Sequence, residues 1–246
     1  MKAMILAAGL GTRLKPFTDE NPKALLPVGG KPMLQRVAEK LIHAGVTHIV
    51  VNIHHHPEKM KKFIAGLRYP GVTFYISDET QQLLDTGGGL KKAEKFLKGE
   101  QPFFVYNSDV LCDIDLNAML DFHLKNKALA TLAVTNRESS RYFLWDGQQL
   151  EGWENAKTGE KILLSQKTGK TLKRKAFSGI HVINPHIFEL MEGKKRFSIN
   201  EVYLKLAKTH RINCFEHEET MWADLGTPEK LARAETLIRT HPKRFH

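Results

Sequence analysis

The sequence predicts an α/β fold in which a mostly parallel sheet is flanked by helices, with a small β-rich insertion. Three observations carry this expectation. Short apolar runs of strand length alternate with amphipathic stretches of helical period from residue 2 to about residue 134. The first apolar run, residues 2–8, ends in a glycine-rich turn, Gly9-Leu10-Gly11-Thr12. The alternation then breaks between residues 136 and 176, a polar stretch rich in Gly, Lys and Gln, before strand and helix patterns resume.

In chain order, residues 2–8 are the first strand. Pro32 stands at a helix start, where its missing N–H costs nothing, and Met33, Leu34, Val37, Ala38, Leu41 and Ile42 recur at helical spacing until Gly45 closes the helix. Residues 47–53 form a second strand, 57–67 a helix and 72–76 a third strand. Leu90, Ala93, Phe96 and Leu97 mark another helix. Residues 103–106 are the fourth strand, 115–126 a helix and 128–134 the fifth strand. Within 136–176 the strand candidates are 142–145 and 161–164, read as a hairpin insertion or a lid. Residues 177–183 return to strand, 199–208 are helical, 211–215 form a strand and 221–225 bring the chain back to the sheet. Thr227 caps the last helix, with Pro228 at its first position and Glu229 just inside. Such an order is Rossmann-like, with ligands expected at the carboxyl ends of the strands.

A chain of 246 residues, 41% hydrophobic and 26% charged, is long enough to bury a core as one large domain. Two cysteines, Cys112 and Cys214, argue against a disulfide framework and fit a reducing, cytoplasmic setting. No apolar run approaches a membrane span, and the apolar start is too short for a signal sequence. The formal net charge of +10 raises nucleic-acid binding as a reading. However, the clusters Lys167, Lys170, Lys173, Arg174, Lys175 and Lys194-Lys195-Arg196 are not interleaved with stacking aromatics, so a solvated basic face is expected and no nucleic-acid partner.

The glycine turn is the strongest chemical signal. Glycines let main-chain N–H groups converge on an anion, and Arg13 and Lys23 add full positive charge, so the turn reads as a polyphosphate site. It is not a dinucleotide fingerprint, because Leu14 stands where the third glycine belongs. Gly29-Gly30-Lys31 fails as a P-loop because Pro32 follows. Asp109, in Asn107-Ser108-Asp109 at the end of the fourth strand, is placed to bind Mg²⁺ beside phosphates. His54-His55-His56 lies past a strand, where successive side chains point to opposite faces, so a shared metal is not expected.

The run Leu6-Ala7-Ala8-Gly9-Leu10-Gly11-Thr12-Arg13-Leu14, with Pro16 and Thr18, followed by Pro22-Lys23-Ala24-Leu25-Leu26-Pro27-Val28, resembles the sugar-phosphate nucleotidyltransferase family. The resemblance implies a nucleotide-diphospho-sugar transferase type of fold: a single domain over 1–246, with a nucleotide-binding half (1–135) and a sugar-binding half (136–246). It implies condensation of a nucleoside triphosphate with a sugar 1-phosphate, giving a nucleotide sugar and pyrophosphate. Ala7, Ala8, Gly9, Gly11 and Thr12 would bind the nucleotide, with Arg13 and Lys23 catalytic, and Asp109 and Asp224 (in Trp222-Ala223-Asp224-Leu225-Gly226-Thr227-Pro228) would hold Mg²⁺. Asp85-Thr86-Gly87-Gly88 resembles the element under the base, with Glu79 and Gln82 as further base contacts, and Asn107, Ser178 and Gly179 fall where relatives meet the sugar.

The Asp85–Gly89 motif, Phe177-Ser178-Gly179-Ile180 and the Trp222–Pro228 element look most like the N-acetylmuramate 1-phosphate uridylyltransferases of peptidoglycan recycling in cell-wall metabolism, which implies UTP. The alternatives are a mannose 1-phosphate guanylyltransferase and a non-catalytic nucleotide-sugar-binding sensor. The proline of an expected Glu-Lys-Pro element is absent at Glu160-Lys161-Ile162, so Lys161 receives no role, and no repeat domain is expected after the last helix. The oligomeric state is not readable.

Overall fold

A computed structural model of the protein describes residues 1–165 and 171–245. Lys167 and Lys170 lie outside the described residues. The chain opens with β1 (Lys2–Leu6), passes through single helical turns at Thr12–Leu14, α1 (Phe17–Glu20) and Lys23–Leu25, and makes a small hairpin of β2 (Pro27–Val28) and β3 (Lys31–Pro32). Then follow α2 (Met33–His43), β4 (His48–Ile53), α3 (Pro57–Gly66), β5 (Thr73–Asp78), α4 (Asp85–Lys92), α5 (Glu94–Leu97), β6 (Phe103–Asn107), β7 (Val110–Cys112), α6 (Leu116–Asn126) and β8 (Ala130–Thr135). The remainder comprises β9 (Arg141–Asp146), β10 (Gln149–Asn155), β11 (Lys161–Leu163), β12 (Lys173–Ile183), α7 (Ile187–Leu190), α8 (Ile199–Leu206), β13 (Ile212–Glu216), β14 (Trp222–Asp224) and α9 (Pro228–Thr240).

A 10-stranded sheet runs in the order β11-β10-β13-β8-β12-β6-β1-β4-β5, with β9 pairing to β10 and β12. β6, β1, β4 and β5 are parallel, as are β13 and β8, and β12 runs antiparallel between β6 and β8. Helices pack on both faces, so the central strands are buried on both sides. Ala3 and Ile5 enter one core with α2, while Met4 between them enters the other with Leu90 and Leu97. Local chemistry sets the helix starts. Asp115 accepts from the Asn117 and Ala118 N–H groups at 2.9 and 3.0 Å, Ser198 and Glu201 form a capping box, and Thr227 accepts from the Lys230 N–H with Pro228 at the first position.

Two expectations are corrected here. Residues 221–225 do not rejoin the main sheet: β14 pairs antiparallel with β7 in a separate two-stranded ladder, because the chain turns out of the sheet at Ser108-Asp109. Of the two readings of 136–176, the described residues form the hairpin, β9 against β10, and not the lid. The segment's described strands continue the main sheet, with β9 on β12 and β10 on β13, and none of its described residues lines the glycine-turn cleft. The sequence pattern also missed β10, whose inward positions are Leu150, Gly152 and Glu154. Only one of these is an aliphatic side chain, and Glu154 is accepted inside because Arg174 pairs with it.

Three histidines are buried and held neutral. Burial pushes His123 down to about 4, His181 to about 3 and His217 to about 4. His123 Nδ1 bonds Thr131 Oγ1 at 2.9 Å and His181 Nδ1 bonds Tyr203 Oη at 2.6 Å. Unfolded imidazoles protonate below about 6.5 and these do not, so the unfolded state binds more protons as pH falls. Stability therefore declines from about pH 6.5 toward pH 4, by about 1.4 kcal/mol per pH unit for each such histidine. Urea midpoints at pH 7 and pH 5 test this, and equal midpoints would contradict it.

Candidate active site

The carboxyl ends of β1, β4 and β6 open into a cleft of about 460 Å³. One part of it is the turn from Ala7 to Arg13 with Lys23, and another is the Asn107-Ser108-Asp109 corner with Gly226. Leu83, Asp85, Thr86 and Arg196 line it as well. The turn is held from behind. Gly11 adopts φ +66°, and a Cβ there would sit 2.8 Å from Thr18 Cγ2. Thr18 Oγ1 donates to the Gly11 carbonyl at 2.9 Å. The Ala7 N–H is not free for an anion, since it donates to Asn52 Oδ1 at 2.7 Å. Asn52 Nδ2 in turn donates to Glu79 Oε1 at 2.7 Å, and Glu79 Oε2 accepts from the Leu84 N–H at 3.1 Å.

This chain of bonds revises two expected base contacts. Glu79 is fully buried with both oxygens engaged, so it fixes the cleft floor rather than presenting a free carboxylate. Gln82 is exposed and does not line the cleft. Gly87 and Gly88 do not line it either, although Thr86 does. Their N–H groups donate to the Phe197 carbonyl at 3.0 and 3.2 Å, and a Cβ on Gly87 would lie 2.5 Å from the Phe197 ring. The glycines are needed for close approach of the 195–197 segment. A Cβ on Gly89 would meet Glu79 Oε1 at 2.6 Å and Asn52 Nδ2 at 3.0 Å. Gly89→Ala should therefore cost about 1–3 kcal/mol by overpacking and weaken nucleotide binding. Thermal melting and a nucleotide titration check this; wild-type values in both would show that the Asn52–Glu79 bond does not shape the floor.

The two acids meet through the small ladder. Asp224 is in register with Val110, and the Leu225 N–H donates to the Asp109 carbonyl at 2.8 Å. Lys23 Nζ bonds Asp109 Oδ2, and Lys230 Nζ bonds Asp224 Oδ2 at 2.6 Å. Gly226 joins the two regions. A Cβ there would lie 2.6 Å from Asp224 Oδ1 and 3.3 Å from Arg13 Nη2, so carboxylate and guanidinium flank one point. The structure thus brings together Ala7, Ala8, Gly9, Gly11, Thr12, Arg13, Lys23, Asn107 and Asp109 on the cleft, with Asp224 adjoining.

Asp224 also lines a second cavity of about 620 Å³ with Arg137, Trp222 and Lys230. The Arg137 guanidinium lies 3.8 Å from the Trp222 ring centroid and donates to the Phe177 carbonyl at 2.8 Å. Burial lowers the Arg137 pKa, and Asp224 opposes the shift. Ser178 and Gly179 line neither cavity. Ser178 Oγ bonds His217 Nε2 at 2.8 Å and its carbonyl accepts from Trp222 Nε1 at 3.0 Å. Gly179, at φ +77°, leaves room for the Asn107 amide, which a Cβ would meet at 2.7 Å. Both residues support the site from beneath.

Sequence reasoning missed Asn52, Arg137 and Arg196. Asn52 had a signal, as the one polar side chain between Ile49 and Ile53 in a buried strand. Arg137 and Arg196 had none. The basic clusters are also less uniform than a solvated face: Lys175 is buried and pairs with Glu216 at 2.6 Å. Of His54, His55 and His56, the last two lie with ring centroids 4.0 Å apart, but the ring nitrogens of His54 and His56 bond separate carbonyls. His54 Nδ1 bonds the Glu79 carbonyl at 2.7 Å and His56 Nε2 bonds the Thr18 carbonyl at 3.3 Å. Among the described residues no group of three metal-ligating side chains forms, and no helix is long and apolar enough to cross a membrane. Both cysteines are free and buried, each thiol pushed up to about 11 by burial.

Known proteins resemble this chain in sequence and in fold. The chain is 34% identical over 235 residues to a mannose-1-phosphate guanyltransferase of Gibberella zeae, covering 93% of this chain and 62% of that protein. It is 34% identical over 232 residues to a protein of the same name from Yarrowia lipolytica, covering 93% of this chain and 61% of the relative. The chain thus spans about three-fifths of the length of these relatives. Among solved structures, UDP-glucose pyrophosphorylase from Acinetobacter baumanii superposes with a TM-score of 0.77 at 20% identity, covering 99% of this chain and 95% of that one. HddC from Yersinia pseudotuberculosis complexed with GMP-PN gives 0.73 at 23%, covering 96% and 98%. These likenesses establish the fold as that of the nucleotide-diphospho-sugar transferases. A family model described as nucleotidyl transferase matches residues 2–241, and the chain belongs to that family.

Proposed function

We propose that this chain transfers a nucleotidyl group from a nucleoside triphosphate to a sugar 1-phosphate. The observation that carries the reading is the Lys23–Asp109 pair on the glycine-turn cleft, with Asp224 beside it across the β7–β14 ladder. The Gly9–Thr12 turn and Arg13 hold the triphosphate. Lys23 offsets charge where the incoming phosphate meets the α-phosphate. A sugar phosphate oxygen bonds to the α-phosphorus as the bond to the bridging oxygen breaks, and pyrophosphate leaves with that electron pair. No covalent enzyme intermediate is required, so positioning and charge stabilisation supply the rate. Asn107, supported by Gly179, and the Arg137–Trp222 side of Asp224 face the sugar.

Asp109 and Asp224 offer an all-oxygen pair on adjacent chain segments, each neutralised by a lysine. This suits Mg²⁺, which takes one or two carboxylates together with substrate phosphate oxygens. Mg²⁺ would polarise the phosphoryl oxygens there.

The named relatives favour GTP and mannose 1-phosphate as the substrate pair. The sequence resemblance of Asp85–Gly89, Phe177–Ile180 and Trp222–Pro228 to N-acetylmuramate 1-phosphate uridylyltransferases implies UTP and N-acetylmuramate 1-phosphate as a second pair. Measuring kcat/KM for both pairs on the same preparation decides between them. A preference of at least about tenfold, or 1.4 kcal/mol, identifies the pair. No turnover with either pair removes both assignments.

A further inference from the structure

Arg196 is a cation on the cleft that the reaction as described does not use. Both of its neighbours are docked on the first turn of α4. The Phe197 N–H donates to the Leu84 carbonyl at 3.3 Å, and the Phe197 carbonyl accepts from Gly87 and Gly88. The Ile199 N–H donates to Thr86 Oγ1 at 3.0 Å, and the missing Cβ of Gly88 lets the Lys195 carbonyl close in. The main chain on either side of Arg196 is therefore held against α4, and its exposed side chain lines the same cleft as the exposed Asp85. Among the described residues, no acid pairs with its guanidinium. Asp85 sits at φ +62°, and its Oδ1 accepts from the Thr86 N–H at 2.6 Å. Its Oδ2 has no partner among the described residues. With the phosphates on the turn and Lys23, this lining is left for the base.

We propose that Arg196 and Asp85 together read the keto–imino edge shared by guanine and uracil, which makes the cleft selective for keto-base nucleotides over adenine and cytosine nucleotides. This rests on the nucleotide reading of the cleft. Guanine presents the O6 acceptor beside the N1–H donor, and uracil presents O4 beside N3–H. Adenine and cytosine invert the order, with an amino donor beside a ring-nitrogen acceptor. Arginine only donates and a carboxylate only accepts, so the pair cannot invert to suit them. An amino base would set N–H against N–H and lone pair against lone pair, a repulsive element as well as a lost attraction. The same two side chains serve GTP and UTP alike, so the inference does not depend on which of the two is the substrate.

The test is equilibrium binding, by calorimetry and without sugar phosphate, of GDP, UDP, ADP and CDP to the wild-type protein and to Arg196→Gln, Arg196→Lys and Asp85→Asn. Wild type should bind a keto nucleotide at least about tenfold tighter than its amino counterpart, in line with the discrimination a paired side-chain contact supplies. Arg196→Gln should weaken GDP or UDP about tenfold, leave ADP and CDP unchanged, and so abolish the preference. Arg196→Lys should keep part of it, and Asp85→Asn should abolish it. Equal weakening of all four nucleotides in Arg196→Gln would place the guanidinium on phosphate and overturn the proposal, as would no change in any. Wild-type protein that binds none of the four would overturn the nucleotide reading itself, an outcome visible before any variant is made.

Discussion

Lys23→Ala should lower kcat by about a hundredfold to a thousandfold, with the melting temperature little changed. The range is that of removing one preorganised donor from a developing charge. Lys23 follows a tight helical turn entry at Pro22, and its ammonium already bonds Asp109 on the cleft. Substrate phosphates bring several negative charges to that point, so the lysine is worth more in the transition state than in the resting protein. Lys23→Arg is the informative companion. It keeps the charge but replaces a compact ammonium with a planar fork, so it should recover only part of the rate. Pyrophosphate release in single-turnover mode reads the effect on chemistry. A rate for Lys23→Ala near that of wild type would place the reacting phosphates elsewhere.

Asp109→Asn and Asp224→Asn should each lower turnover by about a thousandfold or more and shift the Mg²⁺ titration to higher concentration, the scale expected when a metal's charge stabilisation is lost. Asparagine preserves shape and one oxygen acceptor. The Gly226 N–H that now donates to Asp224 Oδ1 at 2.9 Å keeps its partner, and the β7–β14 ladder is made by main-chain groups, so the fold should hold. What changes is charge: an ammonium is left facing an amide at each position, Lys23 at one and Lys230 at the other. Initial rates across a Mg²⁺ series, alongside melting curves, separate the two effects. Near-normal rates and unshifted Mg²⁺ dependence in both variants would remove the metal assignment.

The parts of the molecule legible in the sequence are those whose causes are local. β1, β4 and β8 are short runs dominated by buried side chains, α2 carries a regular apolar face, and Thr227-Pro228 caps α9, so pattern and structure agree. The glycine turn was legible because its residues are contiguous. Other features depend on distant partners. β10 has too few aliphatic positions to show a period, and its buried Glu154 is explained only by Arg174. Asp109 and Asp224 were each visible, but strands of three residues carry no pattern that announces their pairing. In sequence Gly87 and Gly88 point to contact with a base, whereas their lack of a Cβ serves the approach of Lys195 and Phe197. In the sequence alone Arg196 belongs to a basic run with the pattern of a solvated face. Only the docking of that run on α4 places it on the cleft.

Nucleotidyl transfer at the Lys23–Asp109–Asp224 corner is decided by pyrophosphate release over a grid of four nucleoside triphosphates against mannose 1-phosphate, N-acetylmuramate 1-phosphate and other sugar 1-phosphates, with and without Mg²⁺. The expected result is Mg²⁺-dependent release for at least one keto-base triphosphate with one sugar phosphate, in a one-to-one ratio with a nucleotide sugar, and its loss on chelation. Silence across the whole grid from folded protein that still binds nucleotides would rule out transfer at this corner and leave a nucleotide-binding protein whose two acids are structural.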